Sequence, residues 1–438
     1  MTDLTRRTLF GSAAGIAAGI GLVGPALGAS LPAAGAPEQE PQSLRGTVTD
    51  GKVSLPPLHQ SSEQNADAPN PMPPGKRLGI AVVGLGALAL ENIIPGFGET
   101  KHVRLTGLVS GDPAKARAIA AQYGVPEKNL YSYDTFDQIS NNPDIDIVYI
   151  VLPNALHAEF TIRAAKAGKH VLCEKPMAAT VAEAQSMVDA CAQANRKLMI
   201  AYRLQYTPEH RTVIDLARSK TFGAIRMIEA VNGQNDAPNG QWRQIKALAG
   251  GGSLPDVGLY CLNAFRYITG EEPIEVTGQL TRPANDPRFR EIEDISMFTL
   301  RFPSGVVANG TAGYSFHESR FLRVHAETGW FGLDPAFGYD NLTLGINRKA
   351  GMASSTDSRR FSPKSQFAHE MDAFAASLHA NQEPRTPGAE GLQDMKIMAA
   401  IYQAAAGGGV VKLPPVDGLD TTRGPWPKEL GAFVPTVG

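Results

Sequence analysis

Two stretches of this sequence hold residues with the types and spacing for proton and charge chemistry on a bound small molecule. The first is Glu174-Lys175-Pro176, an acid beside a base at the end of an apolar run. The second is Gly250-Gly251-Gly252-Ser253-Leu254-Pro255-Asp256-Val257-Gly258-Leu259-Tyr260. Ser253 is placed there to cap a helix that Pro255 helps to start. Asp256 and Tyr260 then stand four residues apart on one helix face, with Asn263 and Arg266 close behind. The glycine run permits close approach of backbone or ligand. A carboxylate and a phenol so placed can exchange protons with a substrate. Equally, Asp256 can complement the helix dipole from the first turn while Tyr260 packs in the core. No His, Cys, Asp or Glu cluster has metal-ligand spacing, and Cys173 reads as a small buried residue.

These residues need a scaffold, and the sequence writes one in apolar runs. Leu78-Gly79-Ile80-Ala81-Val82-Val83 reads as a buried parallel strand. It feeds Gly84-Leu85-Gly86-Ala87-Leu88-Ala89, a G-x-G-x-x-A turn into a helical stretch. The first glycine allows the tight turn, the second lets a pyrophosphate approach, and the free N–H groups at the helix start favour an anion. The next strand, residues 103–109, ends at Ser110 with Lys115 one turn into the following helix. A hydroxyl and a cation there suit the 2′-phosphate of NADP over the free ribose of NAD. Asp112 reads as a helix N-cap, because Pro113 follows it.

Strands at 145–152, 170–173 and 197–202 continue the rhythm, with a helix at 157–167. Asn154, Glu174, Lys175 and Arg203 then share the carboxyl edge of the sheet, where ligands gather in open α/β folds. After Arg203 a helix at 208–219 leads into strands at 225–231, 274–280, 296–302, 306–311, 321–327 and 330–333, and helices at 366–380 and 391–406 finish the chain. The fold class expected is an α/β Rossmann domain with a parallel sheet (78–203), followed by an α+β domain on a large, mainly antiparallel, open-faced sheet (204–438).

The chain has 438 residues, with 41 Lys+Arg against 43 Asp+Glu, and this near-balance argues against a nucleic-acid partner. With 3 cysteines no disulfide framework is written. Residues 1–28 have the layout of a twin-arginine signal, Arg6-Arg7 before a weakly apolar Gly/Ala run, with cleavage expected near Gly28/Ala29. The rival reading is an uncleaved anchor, against which Pro25 and the Gly/Ala content argue. Residues 29–77, rich in Pro, Ala, Gln and Ser, read as an extended arm or a linker, with at most one short strand around Val48 and Val53.

Taken in order, Gly84-x-Gly86, Glu174-Lys175-Pro176 and residues 250–260 resemble the Gfo/Idh/MocA oxidoreductase family, and within it the glucose–fructose branch. The resemblance runs from 78 to about 411 and also covers the paired-arginine leader and the Pro-rich arm, with residues 152–160 and 270–276 making it specific. Many members have His where this chain has Tyr260; the tyrosine is shared with that branch. The resemblance implies that Lys175 and Tyr260 flank a nicotinamide, with Asp256 orienting a substrate hydroxyl or the tyrosine. It puts Ser110, Lys115 and Tyr133 near the adenosine end and Arg203, Trp242 and Arg243 along the cofactor, beside the turn of Gly84, Leu85, Gly86, Ala87 and Leu88. A tyrosine is a poor base at neutral pH without a nearby cation, which Lys175 would supply.

The expected activity is ping-pong oxidation of an aldose (glucose) to its lactone and reduction of a second sugar, fructose to sorbitol or another aldose, on tightly bound NADP. Expected partners are small-molecule sugars and copies of the chain, in a dimer or tetramer held by the C-terminal sheet and the arm, in the periplasm. The alternatives are a periplasmic sugar or inositol dehydrogenase with exchangeable NAD(P), and a non-catalytic NADP-binding sensor.

Overall fold

Short β-branched runs, each buried on both faces, set the order of the first half. The computed structural model describes residues 48–49, 52–53, 76–235, 239–361 and 365–427. The leader (1–28), its cleavage position and most of the arm (29–77) lie outside the described residues. Within the arm the single short strand expected is instead a pair, β1 (Val48–Thr49) and β2 (Lys52–Val53), joined antiparallel.

The strands β3 (Leu78–Val83), β4 (Val103–Val109), β5 (Leu130–Tyr131), β6 (Ile147–Ile150), β7 (His170–Cys173) and β8 (Leu198–Ile200) form one parallel sheet in the order β5-β4-β3-β6-β7-β8. The helices α1 (Pro113–Tyr123), α2 (His157–Lys166) and α3 (Val181–Gln193) carry three of its crossovers, and the helical stretch over residues 87–96 carries the one from β3 to β4. Asp112 caps α1, its carboxylate accepting the Ala114 and Lys115 amides at 3.0 Å each, with Pro113 at the first helical position. The strand order reverses between β3 and β6, so the ligand crevice of such a sheet opens beside Gly84 and Asn154.

The second half begins with α4 (Pro208–Arg218), β9 (Ile225–Gly233) and α5 (Leu259–Thr269). It continues through β10 (Glu275–Thr281), β11 (Ile295–Arg301), β12 (Val307–Gly313), β13 (Ser319–Ala326), β14 (Gly329–Leu333), β15 (Thr343–Ala350) and β16 (Ala353–Arg360). It ends with α6 (Gln366–His379), α7 (Gly388–Gly407) and β17 (Val411–Lys412). The sheet runs β16-β15-β14-β13-β9-β12-β11-β10-β17, antiparallel throughout except for the parallel β12–β9 pair. Period-two alternation makes one face a core: Ile228, Phe298, Leu300 and Leu322 are buried against Phe265 and Ile268 of α5, while Met227, Met297 and Val307 stand exposed on the other side. The β15–β16 hairpin is absent from the sequence reading because its outer strand, Ser354-Ser355-Thr356-Asp357-Ser358, is a polar edge with no apolar alternation to find.

The chain crosses back after this sheet. Phe367, Met371 and Phe374 of α6 join the cluster of Ile80, Ile93 and Leu108 in the first half, although a division at 203 assigns α6 to the second. The amide of Ile200 in β8 donates to the Thr386 carbonyl at 2.8 Å, and a side chain at Gly391 in α7 would meet Ile200 Cγ1 at 2.8 Å. One rigid body therefore presents both halves of any site along their seam.

Behind α5 lies a buried charge network. Arg266 is fully buried, donating to Glu272 at 2.7 and 2.8 Å, to Asp394 and to Thr422 at 3.0 Å. Arg423, from the segment after β17, donates to Glu390 at 3.0 Å, and Asp420 accepts from Arg218 at 3.0 Å and from Arg385 at 3.3 Å. The tail is thus part of the core's electrostatic balance. Arg423→Ala strands Glu390 without its cation and is expected to lower the unfolding free energy by about 3–5 kcal/mol, read from urea melts. A loss under about 1 kcal/mol would mean that the tail contributes nothing to the folded core.

Candidate active site

At the end of β3 the chain turns on Gly84, whose φ of +95° is left-handed and whose Cβ, if it had one, would lie 2.2 Å from the Val151 carbonyl. Leu85 is buried and anchors the turn, Gly86 and Ala87 are exposed, and Leu88 is half-buried. A side chain at Gly86 would meet nothing within 4 Å, and the Leu90 amide closes the first helical turn on the Gly86 carbonyl at 3.1 Å. Open space over amides at the start of a helix fits a dinucleotide pyrophosphate. At the end of β4, Ser110 is buried with its Oγ accepting the Asp112 amide at 3.1 Å, and Lys115 is half-buried beside Asp112. Burial lowers the Lys115 pKa, and Asp112 opposes the shift. Tyr133 packs edge-on to Phe160 with ring centres 5.6 Å apart, and burial pushes its hydroxyl up to about 12. Asn154 is buried and donates to the Ala249 carbonyl at 2.8 Å, tying the end of β6 to the glycine run of the second half.

The chemistry-bearing residues converge on Lys175. Its Nζ donates to Asp256 Oδ1 at 3.0 Å and to the Asp256 carbonyl at 2.9 Å, and lies 4.5 Å from the centre of the Tyr260 ring. Asp256 Oδ2 receives Tyr314 Oη at 2.7 Å and pairs with Arg243 Nε at 3.3 Å. Burial alone would raise the Asp256 carboxyl, but the Lys175 and Arg243 charges, with the bonds from Tyr314 and Lys175, hold it well below the usual carboxylate range. Burial likewise opposes the charge on Lys175, and Tyr260, Asp256, Tyr339 and Glu174 together raise its pKa nonetheless. Both groups are therefore ionised at neutral pH. Arg203, buried, donates to the Tyr260 hydroxyl at 3.2 Å and is fixed by the Phe337 carbonyl at 2.9 Å, the Gly338 carbonyl at 3.0 Å and the Gln366 side chain. Trp242 is half-buried with the Arg243 guanidinium 4.5 Å over its ring. His157 braces the Glu174–Pro176 loop, its ring nitrogens 2.9 Å from the Pro176 carbonyl and 2.8 Å from that of Leu152.

Two expectations need correction. Ser253 does not cap the helix: it is in helical conformation, and its Oγ donates to Ser296 at 3.1 Å. The capping carboxylate is Glu293, which accepts the Gly252 and Leu254 amides at 2.9 and 3.0 Å. The close approach expected at the glycine run, of backbone or ligand, is of backbone at Gly252, where a Cβ would lie 2.0 Å from the Glu293 carbonyl. Arg266 does not stand behind Asp256 and Tyr260 but in the network at the back of α5, while Asn263 donates to Glu390 at 2.9 Å and lines a cavity together with Tyr260. Tyr260 packs its ring against the core cluster while its hydroxyl meets Arg203, and Asp256 stands in the first helical turn, so the two readings of these residues coexist.

Unforeseen in the sequence were Tyr314, which follows β12 in a loop without a motif, and Gln366, Tyr149 and Glu370, which read as ordinary helix and strand residues. A cavity lined by Lys175, Tyr202, Leu204, Tyr260, Asn263 and Tyr267 lies behind the lysine–tyrosine pair. Among the described residues no helix is long and apolar enough to cross a membrane, and no His/Cys/Asp/Glu group is arranged to hold a metal.

Residues 78–202 match the model of an oxidoreductase family with an NAD-binding Rossmann fold, and residues 210–332 match the GFO/IDH/MocA C-terminal domain. The D-xylose 1-dehydrogenase (NADP(+)) of Haloarcula marismortui is 32% identical over 340 residues, covering 76% of this chain and 92% of its own. A crystal structure of aldose-aldose oxidoreductase from Caulobacter crescentus, complexed with glycerol, is 45% identical with a TM-score of 0.74, over 77% of this chain and 100% of that one. An oxidoreductase domain protein from Kribbella flavida, 24% identical with a TM-score of 0.68 over 77% of this chain and 100% of its own, shares the fold.

Because the Asp256 pKa is depressed in the folded state, the carboxylate contributes stability that is full above its ordinary value and is lost progressively below about pH 5. Asp256→Asn is expected to melt lower at neutral pH and to show a shallower loss of stability on acidification. Parallel acid limbs for the two proteins would show that Asp256 is not the group held down.

Proposed function

Because the chain belongs to the Gfo/Idh/MocA oxidoreductase family, a family of NAD(P)-dependent sugar oxidoreductases, we propose that it is an NADP-dependent enzyme that oxidises an aldose such as glucose to its lactone and reduces a second sugar with the same tightly held cofactor, in ping-pong order. The observation that carries this reading is the Lys175–Asp256 pair against the Tyr260 ring, with Arg203 on the Tyr260 hydroxyl. A sensor that only binds nucleotide needs no ionised lysine and aspartate beside a phenol.

Gly84 to Leu88 would hold the pyrophosphate, and Ser110 and Lys115 a 2′-phosphate, in keeping with the NADP(+) named for the Haloarcula relative. When bound, the nicotinamide supplies the hydride acceptor for the first sugar and the donor for the second. Tyr260 Oη takes the proton of the sugar's C1 hydroxyl as C1 becomes the lactone carbonyl, and returns a proton to the second sugar's carbonyl oxygen. Negative charge developing on Tyr260 Oη is met by the Arg203 N–H already there and by Lys175. Asp256 keeps Lys175 against the ring, while Arg243 and Tyr314 keep Asp256 in place. The name of the Caulobacter neighbour favours a second aldose over fructose as acceptor.

Export as a folded protein through the twin-arginine leader would place this chemistry in the periplasm, where a retained cofactor must be recycled in place. Retention is the arm's proposed task. The contact of β2 with α1, the helix that follows Ser110, supports that task. Subunit contacts in a dimer or tetramer would use the exposed face of the large sheet, with Met227, Met297 and Val307.

The purified mature protein, with no cofactor added, is expected to gain nicotinamide absorbance on addition of glucose and to lose it on addition of a second sugar. Absence of any bound nucleotide would instead fit a dehydrogenase with exchangeable cofactor. Tyr260→Phe is expected to keep the nucleotide and lose about 10²–10⁴ in kcat. Near-normal turnover in that variant would remove Tyr260 from proton transfer.

A further inference from the structure

Beneath Lys175, two carboxyl groups meet on one phenol. Tyr149 in β6 is fully buried, and its Oη lies 2.8 Å from Glu174 Oε1 at the end of β7 and 2.8 Å from Glu370 Oε1 on α6. A phenol has one proton and can donate to only one of them. With both carboxyls ionised, the other would press a carboxylate oxygen onto the phenol's lone pairs at hydrogen-bond distance. The contact is favourable only if one carboxyl keeps its proton and donates it to Tyr149 Oη.

The surroundings decide which. Glu370 has no exposed surface, and its Oε2 has no hydrogen-bond partner. It forms no ion pair among the described residues, because the nearby Arg203 spends its N–H groups on Gly338, Phe337, Gln366 and Tyr260. Burial raises the Glu174 carboxyl as well, but there the Tyr149 bond, the positive charges of Lys175 and Arg203, and a second donor, the Lys175 amide at 3.3 Å on Oε2, oppose it. The other ionisable neighbours are Tyr206 on the Glu370 side and Tyr339 and the buried Cys173 thiol on the Glu174 side, all without charge at neutral pH. An ionised carboxylate at Glu370 would be buried with an empty oxygen; at Glu174 it is bonded on both.

We propose that Glu370 is a neutral carboxylic acid at pH 7 and a positioning residue, donating its proton to Tyr149, which in turn donates to Glu174 and holds it as an ionised acceptor behind Lys175. The relay is a directed chain: Glu370 O–H to Tyr149 Oη, Tyr149 O–H to Glu174 Oε1. Burial and the Glu174 charge, which outweigh the Tyr149 bond and the Arg203 charge, push the Glu370 carboxyl well above the usual carboxylate range, in the same direction. The chain rests on the proposed function only for its use: it keeps a second negative charge away from Lys175 and Arg203, the cations that face Tyr260.

The test reads the proton directly. Infrared difference spectra of the full-length protein at neutral pH, wild type against Glu370→Gln, are expected to show a protonated carboxyl stretch present only in the wild type. Glu370→Gln, whose amide N–H can replace the acid proton, is expected to melt within experimental error of wild type, whereas Glu370→Ala melts lower. Tyr149→Phe, which leaves the acid proton without its acceptor, is expected to keep the band but shift it to the frequency of an unbonded acid. The inference is overturned if wild type has no such band, if the band disappears with Glu174→Gln and survives Glu370→Gln, or if Tyr149→Phe leaves its frequency unmoved. Should Glu370→Gln fail to fold, the band of wild type and of Tyr149→Phe, tracked by its isotope shift on carbon-13 labelling of glutamate, decides alone. Absence of sugar turnover with the band behaving as expected would count against the proposed function and leave this inference standing.

Discussion

The bond between Lys175 and Asp256 is the constraint around which the molecule is organised. One partner ends a strand of the parallel sheet; the other opens the helix that leads into the antiparallel one. Both are withdrawn from water, and neither could be left charged there alone without a cost of several kcal/mol. The pair exists only while the two halves stay in register. The direct bond of Asn154 to Ala249, the docking of Thr386 on β8 and the return of α6 onto the first half all enforce that register.

Around this pair the site alternates sign. Arg203 and Lys175 face Tyr260, Asp256 neutralises Lys175 and Arg243, and Glu174 stands behind the lysine. Such an arrangement leaves positive charge closest to the phenol oxygen, with the buried Arg203 satisfied by carbonyls and a side-chain amide rather than by a counter-ion. The same logic recurs at the back of α5, where Arg266, Arg423, Arg218 and Arg385 are balanced by Glu272, Glu390, Asp394 and Asp420. Helix α5 is thus held by ions on the rear and meets ions on the front, which limits its freedom to shift.

Much of this was readable in advance. The strand–turn–helix at residues 78–89, the cap at Asp112, and the burial alternation of β9, β11 and β13 follow from local chemistry, so residue type and period are enough to find them. The β15–β16 hairpin was not, because an edge strand solvated on one side needs no apolar pattern. Ser253 was misassigned for a related reason. A serine before a helix is a good cap in isolation, but Glu293 arrives from a distant loop, takes the amides first, and leaves the serine to Ser296.

The sequence by itself determined the two folds, the nucleotide-binding turn and the identity of Lys175, Asp256 and Tyr260 as reactive candidates, because each depends on spacing within one element. Only the tertiary structure decided how they engage. Lys175 lies over the Tyr260 ring rather than on its hydroxyl, the hydroxyl belongs to Arg203, and Tyr314, Arg243, Tyr149 and Glu370 complete the charge pattern. Those partners come from elements tens to hundreds of residues apart. Hydrogen-bond geometry and burial depend on where the elements meet, which no local pattern encodes.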